Sequence, residues 1–177
     1  SQGNKLFGAA LLRKSDLSTY LAETNNELEN PLWHGEMHLL KRYYEVGEAI
    51  REPVEDLLFL STHEPCSLCL SAITWTGFDN FYYFFTYQDS RDAFDIPHDL
   101  KILEEVFNIG EEGYRHNNAF WKSTGIKSMI QALKKSKGVD QSDLSKLDSQ
   151  SLRLEQAYTV LSQRYQEDKP NNTIPFS

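Results

Sequence analysis

Two short motifs hold the residues best suited to chemistry. His34 and Glu36 are separated by one residue, and Cys66 and Cys69, preceded by Pro65, are separated by two. Thiolate and imidazole are preferred zinc ligands, and a catalytic zinc site keeps three protein ligands so that water can take the fourth position. His34, Cys66 and Cys69 match that count. The sequence therefore predicts a three-ligand Zn2+ site with one open position.

Glu36 lies two residues from the first predicted ligand and carries the right group for proton transfer. A zinc ion lowers the pKa of its bound water to about 7, which gives a usable hydroxide at neutral pH. A nearby carboxylate can take the water proton, pass it to a ring nitrogen and assist the departure of ammonia. We therefore interpret Glu36 as the catalytic proton shuttle of a hydrolytic deamination.

Other interpretations of the cysteine pair explain less of the sequence. A lone C-x-x-C also occurs in redox motifs and in half of a zinc finger, but the upstream histidine and carboxylate have no role in a redox motif. A closed structural zinc site would need a fourth ligand, for which His38 and His63 are the candidates, and it would leave Glu36 without a function. A zincin helix is excluded because Gly35 follows His34 where that motif has glutamate.

The elements that must position these motifs alternate between strand and helix. The apolar pattern predicts a hairpin over residues 5–22, a helix over 34–50 ended by Pro53, a buried strand over 57–60, a helix over 66–75 stopped by Gly77, and an aromatic strand over 81–85. Helices between successive strands imply βαβ units. The expected fold class is an α/β sandwich built on a mixed sheet.

Beyond Asp99 the pattern becomes mainly helical. Short helices are predicted around residues 100–107 and 126–133, and a longer helix over 140–166 carries an apolar seam. That seam fits packing on its own domain or on a partner about equally well. The tail over 169–177 is expected to be extended or mobile. We expect a catalytic core over 1–108 and a C-terminal helical extension over 109–177, packed on the core or on a partner subunit.

Composition narrows the function classes. The 177 residues carry a formal net charge of -8, which disfavours nucleic-acid binding because phosphate contacts draw on an excess of lysine and arginine. The only two cysteines form the C-x-x-C pair, and no apolar run reaches the roughly 18 residues of a membrane helix. No secretory signal is visible. We expect a cytoplasmic protein that acts on a small molecule and has no membrane association.

The motifs resemble those of the cytidine deaminase superfamily. Residues 30–36 are similar to the segment that usually reads D-P-T-A-H-A-E, and residues 62–73 to the run T-x-E-P-C-x-M-C-x-x-A-I. The resemblance extends from Leu6 to Phe107 and is closest to the guanine deaminase branch, then to the tRNA adenosine deaminases. It implies a three-layer α/β/α sandwich around a mixed sheet of about five strands, zinc on His34, Cys66 and Cys69, Glu36 as proton shuttle, and a homodimer.

The resemblance also implies substrate contacts. Gly35 is expected to offer its backbone to a base edge, and either Asn25 or Asn26 to contact the base, although asparagine more often stabilises a turn. Trp75 and Phe94 are expected as aromatic walls for a flat ring, and Asp95, with Asp92 and His98, as a reader of exocyclic groups. Two departures from the family pattern surround the first ligand: Gly35 replaces alanine, and Trp33 replaces a small residue and is expected to crowd the pocket floor.

The leading hypothesis is a zinc-dependent deaminase of a nucleobase or nucleoside, with a purine such as guanine as the expected substrate. A tRNA adenosine deaminase or a cytidine or deoxycytidylate deaminase is the first alternative, and the acidic charge argues against the tRNA enzyme. A non-catalytic, zinc-stabilised scaffold that binds a protein partner is the second, and Glu36 argues against it.

Overall fold

A five-stranded mixed sheet forms the centre of the molecule in the computed structural model, which describes residues 3–110 and 113–175. Its order is β2-β1-β3-β4-β5, with β1 antiparallel to β2 and β3, and β4 parallel to β3 and β5. The strands are β1 Gly8–Arg13, β2 Thr19–Thr24, β3 Leu57–His63, β4 Asn80–Phe85 and β5 Lys122–Gly125. The predicted hairpin and mixed sheet are confirmed.

Six α-helices are found in the described residues. They are α1 Gly35–Glu45, α2 Ser67–Trp75, α3 Tyr87–Phe94, α4 His98–Phe107, α5 Ile126–Lys135 and α6 Gln141–Asp168, with short 3-10 turns at Val54–Asp56 and Lys169–Asn171. Between β3 and β4 the crossover is α2, and between β4 and β5 it includes α3 and α4. The predicted α/β class and the C-terminal helix are therefore confirmed.

Two apolar clusters lie on opposite sides of the sheet. Residues that alternate along β3, such as Leu57 and Phe59, pack with Leu39 of α1 and Ile73 of α2. On the other side, Phe84 of β4 belongs to a second cluster with Tyr165 of α6, and partly buried residues of α5 and α6 pack against it. The sheet is thus covered by α1 and α2 on one side and by α5 and α6 on the other.

Two predicted boundaries are wrong, each for a local reason. Helix α1 ends at Glu45 instead of Ile50, because Val46 adopts extended backbone and Ile50 is left exposed. Strand β3 continues past Leu60 to His63 because it pairs with β4 as far as Phe85. Over its described residues the tail is packed, with Ile174 buried, whereas residues 176–177 lie outside the described part.

Candidate metal centre and active site

Two helix starts bring the zinc motifs together. His34 is the N-cap of α1 and Cys66 is the N-cap of α2, both with extended backbone. Cys69 follows in the first turn of α2, where its amide lies near the positive end of the helix dipole. Pro65 precedes the N-cap, since the carbonyl of Cys66 already accepts the first helical hydrogen bond from Leu70.

The ligand atoms have the spacing that zinc requires. His34 Nδ1 lies 3.4 Å from Cys66 Sγ and 3.8 Å from Cys69 Sγ, and the two sulfurs are 3.5 Å apart. A tetrahedral zinc ion with ordinary bond lengths to sulfur and nitrogen needs ligand atoms about 3.5–3.8 Å apart. Among the described residues these three form the group that could hold a metal ion. The donor set and its separations fit Zn2+, as predicted.

Neither candidate for a fourth protein ligand joins this group. His38 points its Nδ1 to the carbonyl of Thr24, 2.9 Å away, and lies near Glu23. His63 is buried among aromatic rings, with its Nδ1 at 3.0 Å from Thr62 Oγ1. The geometry therefore does not support a closed zinc site with either histidine as the fourth ligand. One coordination position is left open.

The protonation of the cysteines suits metal binding. The pKa of Cys66 lies well below its usual value because the Cys69 thiol hydrogen-bonds with it and the His34 imidazole lies beside it. Burial, followed by the proximity of Cys66, raises the pKa of Cys69. A divalent ion bound to both sulfurs would stabilise both as thiolates.

Glu36 is held directly beside the ligands. It lies in the first turn of α1, is only 5% exposed, and places Oε2 at 3.4 Å from Cys69 Sγ. The hydroxyl of Ser61, on β3, donates to its Oε1 at 2.8 Å. Burial, reinforced by the nearby Cys66, raises the pKa of Glu36 above its ordinary value. A carboxyl group in this position can bind and release a proton at the metal centre.

A cavity of about 330 Å³ opens onto the metal ligands and Glu36. Its apolar lining includes Phe7, Leu32, Leu68, Ile96 and Ile102. Its polar lining includes Lys5, Asn25, Glu27, Glu64, His98 and Asp99. A small, largely apolar pocket with a few convergent polar groups is the usual form of a small-molecule site. We refer to it below as the zinc cavity.

Gly35, Asn25 and Asn26 were predicted to contact the base. Of these three residues, only Asn25 lines the zinc cavity. Its Oδ1 accepts a hydrogen bond from the Gly35 amide at 2.6 Å, so this amide is already engaged within the protein. Asn26 bonds instead to Glu29 and lies in the turn before α1. Trp33, expected on the pocket floor, does not line the cavity, and Leu32 does.

The structure does not bring Trp75, Phe94 or Asp95 into the zinc cavity. Trp75 is 90% exposed at the far end of α2, about 13 Å along the helix axis from Cys66. Phe94 is buried in the second apolar cluster, with its ring centroid 5.0 Å from that of Phe85. Asp95 is the exposed, left-handed C-cap of α3. Among the described residues, the aromatic rings that line the cavity are those of Phe7, His34, His63 and His98.

Sequence reasoning missed Lys5, Glu27, Glu64 and Asp99. Glu64 accepts hydrogen bonds from the Tyr114 hydroxyl and the Tyr87 amide, and Lys5 pairs with Glu27 across a separation of 22 residues. Such long-range contacts leave no spacing signal. Glu64 could have been identified as a site residue from the sequence, because it lies directly before Pro65 in the cysteine motif.

Comparison with known proteins gives an independent view of the chain. Residues 1–85 match the family model described as the cytidine and deoxycytidylate deaminase zinc-binding region. No curated protein sequence matches the chain. Among residues 3–110 and 113–175, no helix combines the length and apolar character needed to cross a membrane.

Several solved structures are similar to this chain at low sequence identity. A structure from a study of A-to-I editing by tRNA:A34 deaminases is 20% identical, with TM-score 0.42, over 67% of this chain and 82% of that chain. Guanine deaminase from Bacillus subtilis is 21% identical, with TM-score 0.48, over 76% and 83%. A dCMP deaminase from the cyanophage S-TIM5 is 20% identical, with TM-score 0.35, over 52% and 72%.

The family match covers both zinc motifs, and the structure places their side chains at coordinating distances beside a buried glutamate. Residues 1–85 therefore match a cytidine and deoxycytidylate deaminase zinc-binding region, and the site that they form has the residues of a zinc-dependent hydrolytic deaminase.

Proposed function

We propose that this enzyme deaminates a free nucleobase or nucleoside, with a purine such as guanine as its substrate. The observation that carries the proposal is the position of Glu36, buried beside Cys69 and lining a cavity large enough for a base. The net reaction replaces an exocyclic C–NH2 group of the base by C=O, consumes one water molecule and releases ammonia.

Each protein group has a defined part. A zinc ion held by His34, Cys66 and Cys69 would act as a Lewis acid and would lower the pKa of water. Ser61 occupies Oε1 of Glu36, which leaves Oε2 to take a proton from the attacking water. The same carboxyl group then delivers that proton to the ring nitrogen of the substrate, takes a second proton from the hydroxyl group formed at the attacked carbon, and passes it to the departing ammonia. The apolar lining excludes bulk water around the ring.

The charges of the zinc cavity favour a base or nucleoside over a nucleotide. Four carboxyl groups line it, those of Glu27, Glu36, Glu64 and Asp99. Among its described lining residues there is one lysine, Lys5, and no arginine. The ammonium group of Lys5 already pairs with Glu27 at 2.8 Å. A phosphate placed here would meet these four carboxyl groups and only one ammonium group among the described lining residues, which is already paired. This disfavours deoxycytidylate as the substrate.

Asp99 supports a substrate that presents ring N–H groups. Burial, and then the negative charge of Cys66, raises its pKa to about 7, so near neutral pH it can accept or donate a hydrogen bond. Free purine bases present several ring and exocyclic N–H donors, which suit an acidic lining. The net charge of -8 does not favour a tRNA substrate.

The homodimer, the cytoplasmic location and the division at residues 108/109 stay predictions.

An ammonia-release screen tests the proposal. The zinc-loaded enzyme is incubated with guanine, adenine and cytosine, their nucleosides and 5'-nucleotides, and tRNA, with chelator-treated enzyme as the control. We expect release from a purine base or nucleoside and at least tenfold less from the matching nucleotide. Turnover confined to nucleotides or to tRNA would overturn the assignment of the substrate class.

A further inference from the structure

A buried ion pair lies against the zinc ligands and has no part in the proton transfer described above. Lys5 and Glu27 are 8% and 3% exposed, and their side chains meet at 2.8 Å. The backbone amide of Lys5 also donates to Glu27 Oε2 at 3.2 Å. Burying two charges has a desolvation penalty that their attraction often fails to offset. Stability alone is therefore a weak reason for this pair.

The other neighbours of Glu27 belong to the metal centre. Asn25 Nδ2 donates to Glu27 Oε2 at 3.0 Å, and Asn25 Oδ1 accepts from the amide of Gly35 at 2.6 Å. His34 Nε2 lies 3.8 Å from Glu27 Oε1, while His34 Nδ1 faces the two cysteine sulfurs. The imidazole thus stands between the metal position and the Glu27 carboxylate.

We propose that Glu27 is a positioning residue for the zinc centre. Its Oε1 takes the Nε2–H group of His34, which fixes the tautomer whose Nδ1 lone pair is free for the metal. Lys5 and Asn25 hold the carboxylate in place. Metal-bound histidines commonly donate their second ring N–H to a carboxylate, and loss of that partner weakens metal binding. The inference rests on the zinc site of the proposed deaminase but not on its substrate.

Other carboxylates near the site are already committed elsewhere. Glu64 is occupied by Tyr114 and Tyr87, and Glu36 by Ser61 on the Nδ1 side of the ring. A movement of about 1 Å would bring His34 Nε2 and Glu27 Oε1 from 3.8 Å to the length of a charge-assisted hydrogen bond. Glu27 is thus a carboxylate that the described chain places directly beside the outer nitrogen of the ligand.

The test measures zinc affinity by competition with a chromophoric chelator, with no substrate present. Glu27→Gln is compared with Glu29→Gln, which removes an exposed carboxylate two residues away that contacts Asn26. We expect Glu27→Gln to weaken zinc binding about 10- to 100-fold and Glu29→Gln to leave it unchanged. The absorption of the cobalt-substituted protein should also shift in Glu27→Gln alone, because the orientation of the imidazole changes.

A second variant covers the case in which Glu27→Gln folds poorly. Lys5→Met combined with Glu27→Leu removes both charges, so no unpaired ammonium is left buried. We expect this double variant to fold and to show the same loss of zinc affinity. Wild-type zinc affinity and an unchanged cobalt spectrum in either variant would overturn the proposal. Failure of the substrate screen would not affect this result, because the readout is metal binding.

Discussion

The Cα of Gly8 lies 2.8 Å from the position that a Cβ on Gly35 would occupy. The N and C atoms of Gly8 lie 3.1 Å from the same position, so no flexible side chain is available to move aside. Glycine at 35 therefore allows the start of α1 to approach the backbone of β1. Because His34 and Glu36 flank this contact, the close approach also sets the positions of a zinc ligand and of the proton shuttle.

We predict that Gly35→Ala destabilises the protein and weakens zinc binding. Alanine is the better helix former by about 0.5–1 kcal/mol, but the methyl group must displace α1 from β1. Overpacking of this kind lowers the free energy of unfolding by about 1–3 kcal/mol. Urea unfolding and zinc titration measure the two effects. Gly47→Ala is the matched control, since a Cβ there meets no atom within 4 Å. Equal stability of the two variants would contradict the steric account.

Glu36→Gln separates proton transfer from metal binding. The substitution keeps the shape of the side chain and an acceptor for the Ser61 hydroxyl, and it removes a buried carboxylate whose ionisation burial opposes. We expect full zinc content, unchanged or higher stability, and ammonia release lower by about 10²- to 10⁴-fold. Zinc analysis and turnover of the substrate found in the screen measure this. Persistent turnover would show that another group moves the proton.

Cys66→Ser tests the coupling of the metal to folding. A serine hydroxyl is a poor zinc ligand, and a metal that binds only the folded state stabilises it by mass action. The melting temperature of the wild type should fall when a chelator is added, whereas that of the variant should already be low and should not respond. Ser71→Ala, on the exposed side of the same helix, is the control and should behave as the wild type. Stoichiometric zinc in Cys66→Ser would refute the ligand assignment.

The sequence predicted the metal ligands well because they are fixed locally. Each motif lies at a helix start, and its spacing decides which side chains point to the metal. Helix α3 was missed although Thr86 and Asp89 form a capping box, a signal that inspection could have found. Strand β5, with the sequence KSTG, has no apolar alternation to reveal it. It is a strand because β4 pairs with it.

Substrate contacts were harder to predict because they depend on long-range packing. Trp75 shares a helix with the cysteines, but the helix axis carries it away from the metal and into solvent. Asn25 and Asn26 are adjacent in sequence, and they are distinguished by their contacts in the folded chain, such as the hydrogen bond from the Gly35 amide to Asn25. Asp99 reaches the zinc cavity because α4 packs near α2, which no local pattern encodes.

His63 is 3% exposed, and its Nε2 has no hydrogen-bond partner among residues 3–110 and 113–175. Burial, and then the positive charge of Lys127, lowers its pKa from 6.5 to about 3. Between these two values the unfolded chain binds a proton at this position and the folded chain does not. Stability from this group is therefore fully present above pH 6.5 and is lost as the pH falls towards 3.

His63→Phe should remove this dependence on pH. The ring stacks at 4.8 Å on Phe85 and lies 4.1 Å from Phe7, so an aromatic apolar ring is compatible with its surroundings. Urea unfolding of both proteins is measured from pH 8 to pH 5. Relative to the variant, the wild type should lose about 2 kcal/mol between pH 6.5 and pH 5, since one pKa unit corresponds to about 1.4 kcal/mol. Zinc release on acidification affects both proteins alike, because the ligand set is the same, and so it cancels in the difference. A difference that stays constant with pH would mean that His63 takes up a proton in the folded state, which its apolar surroundings and its unpartnered nitrogen oppose.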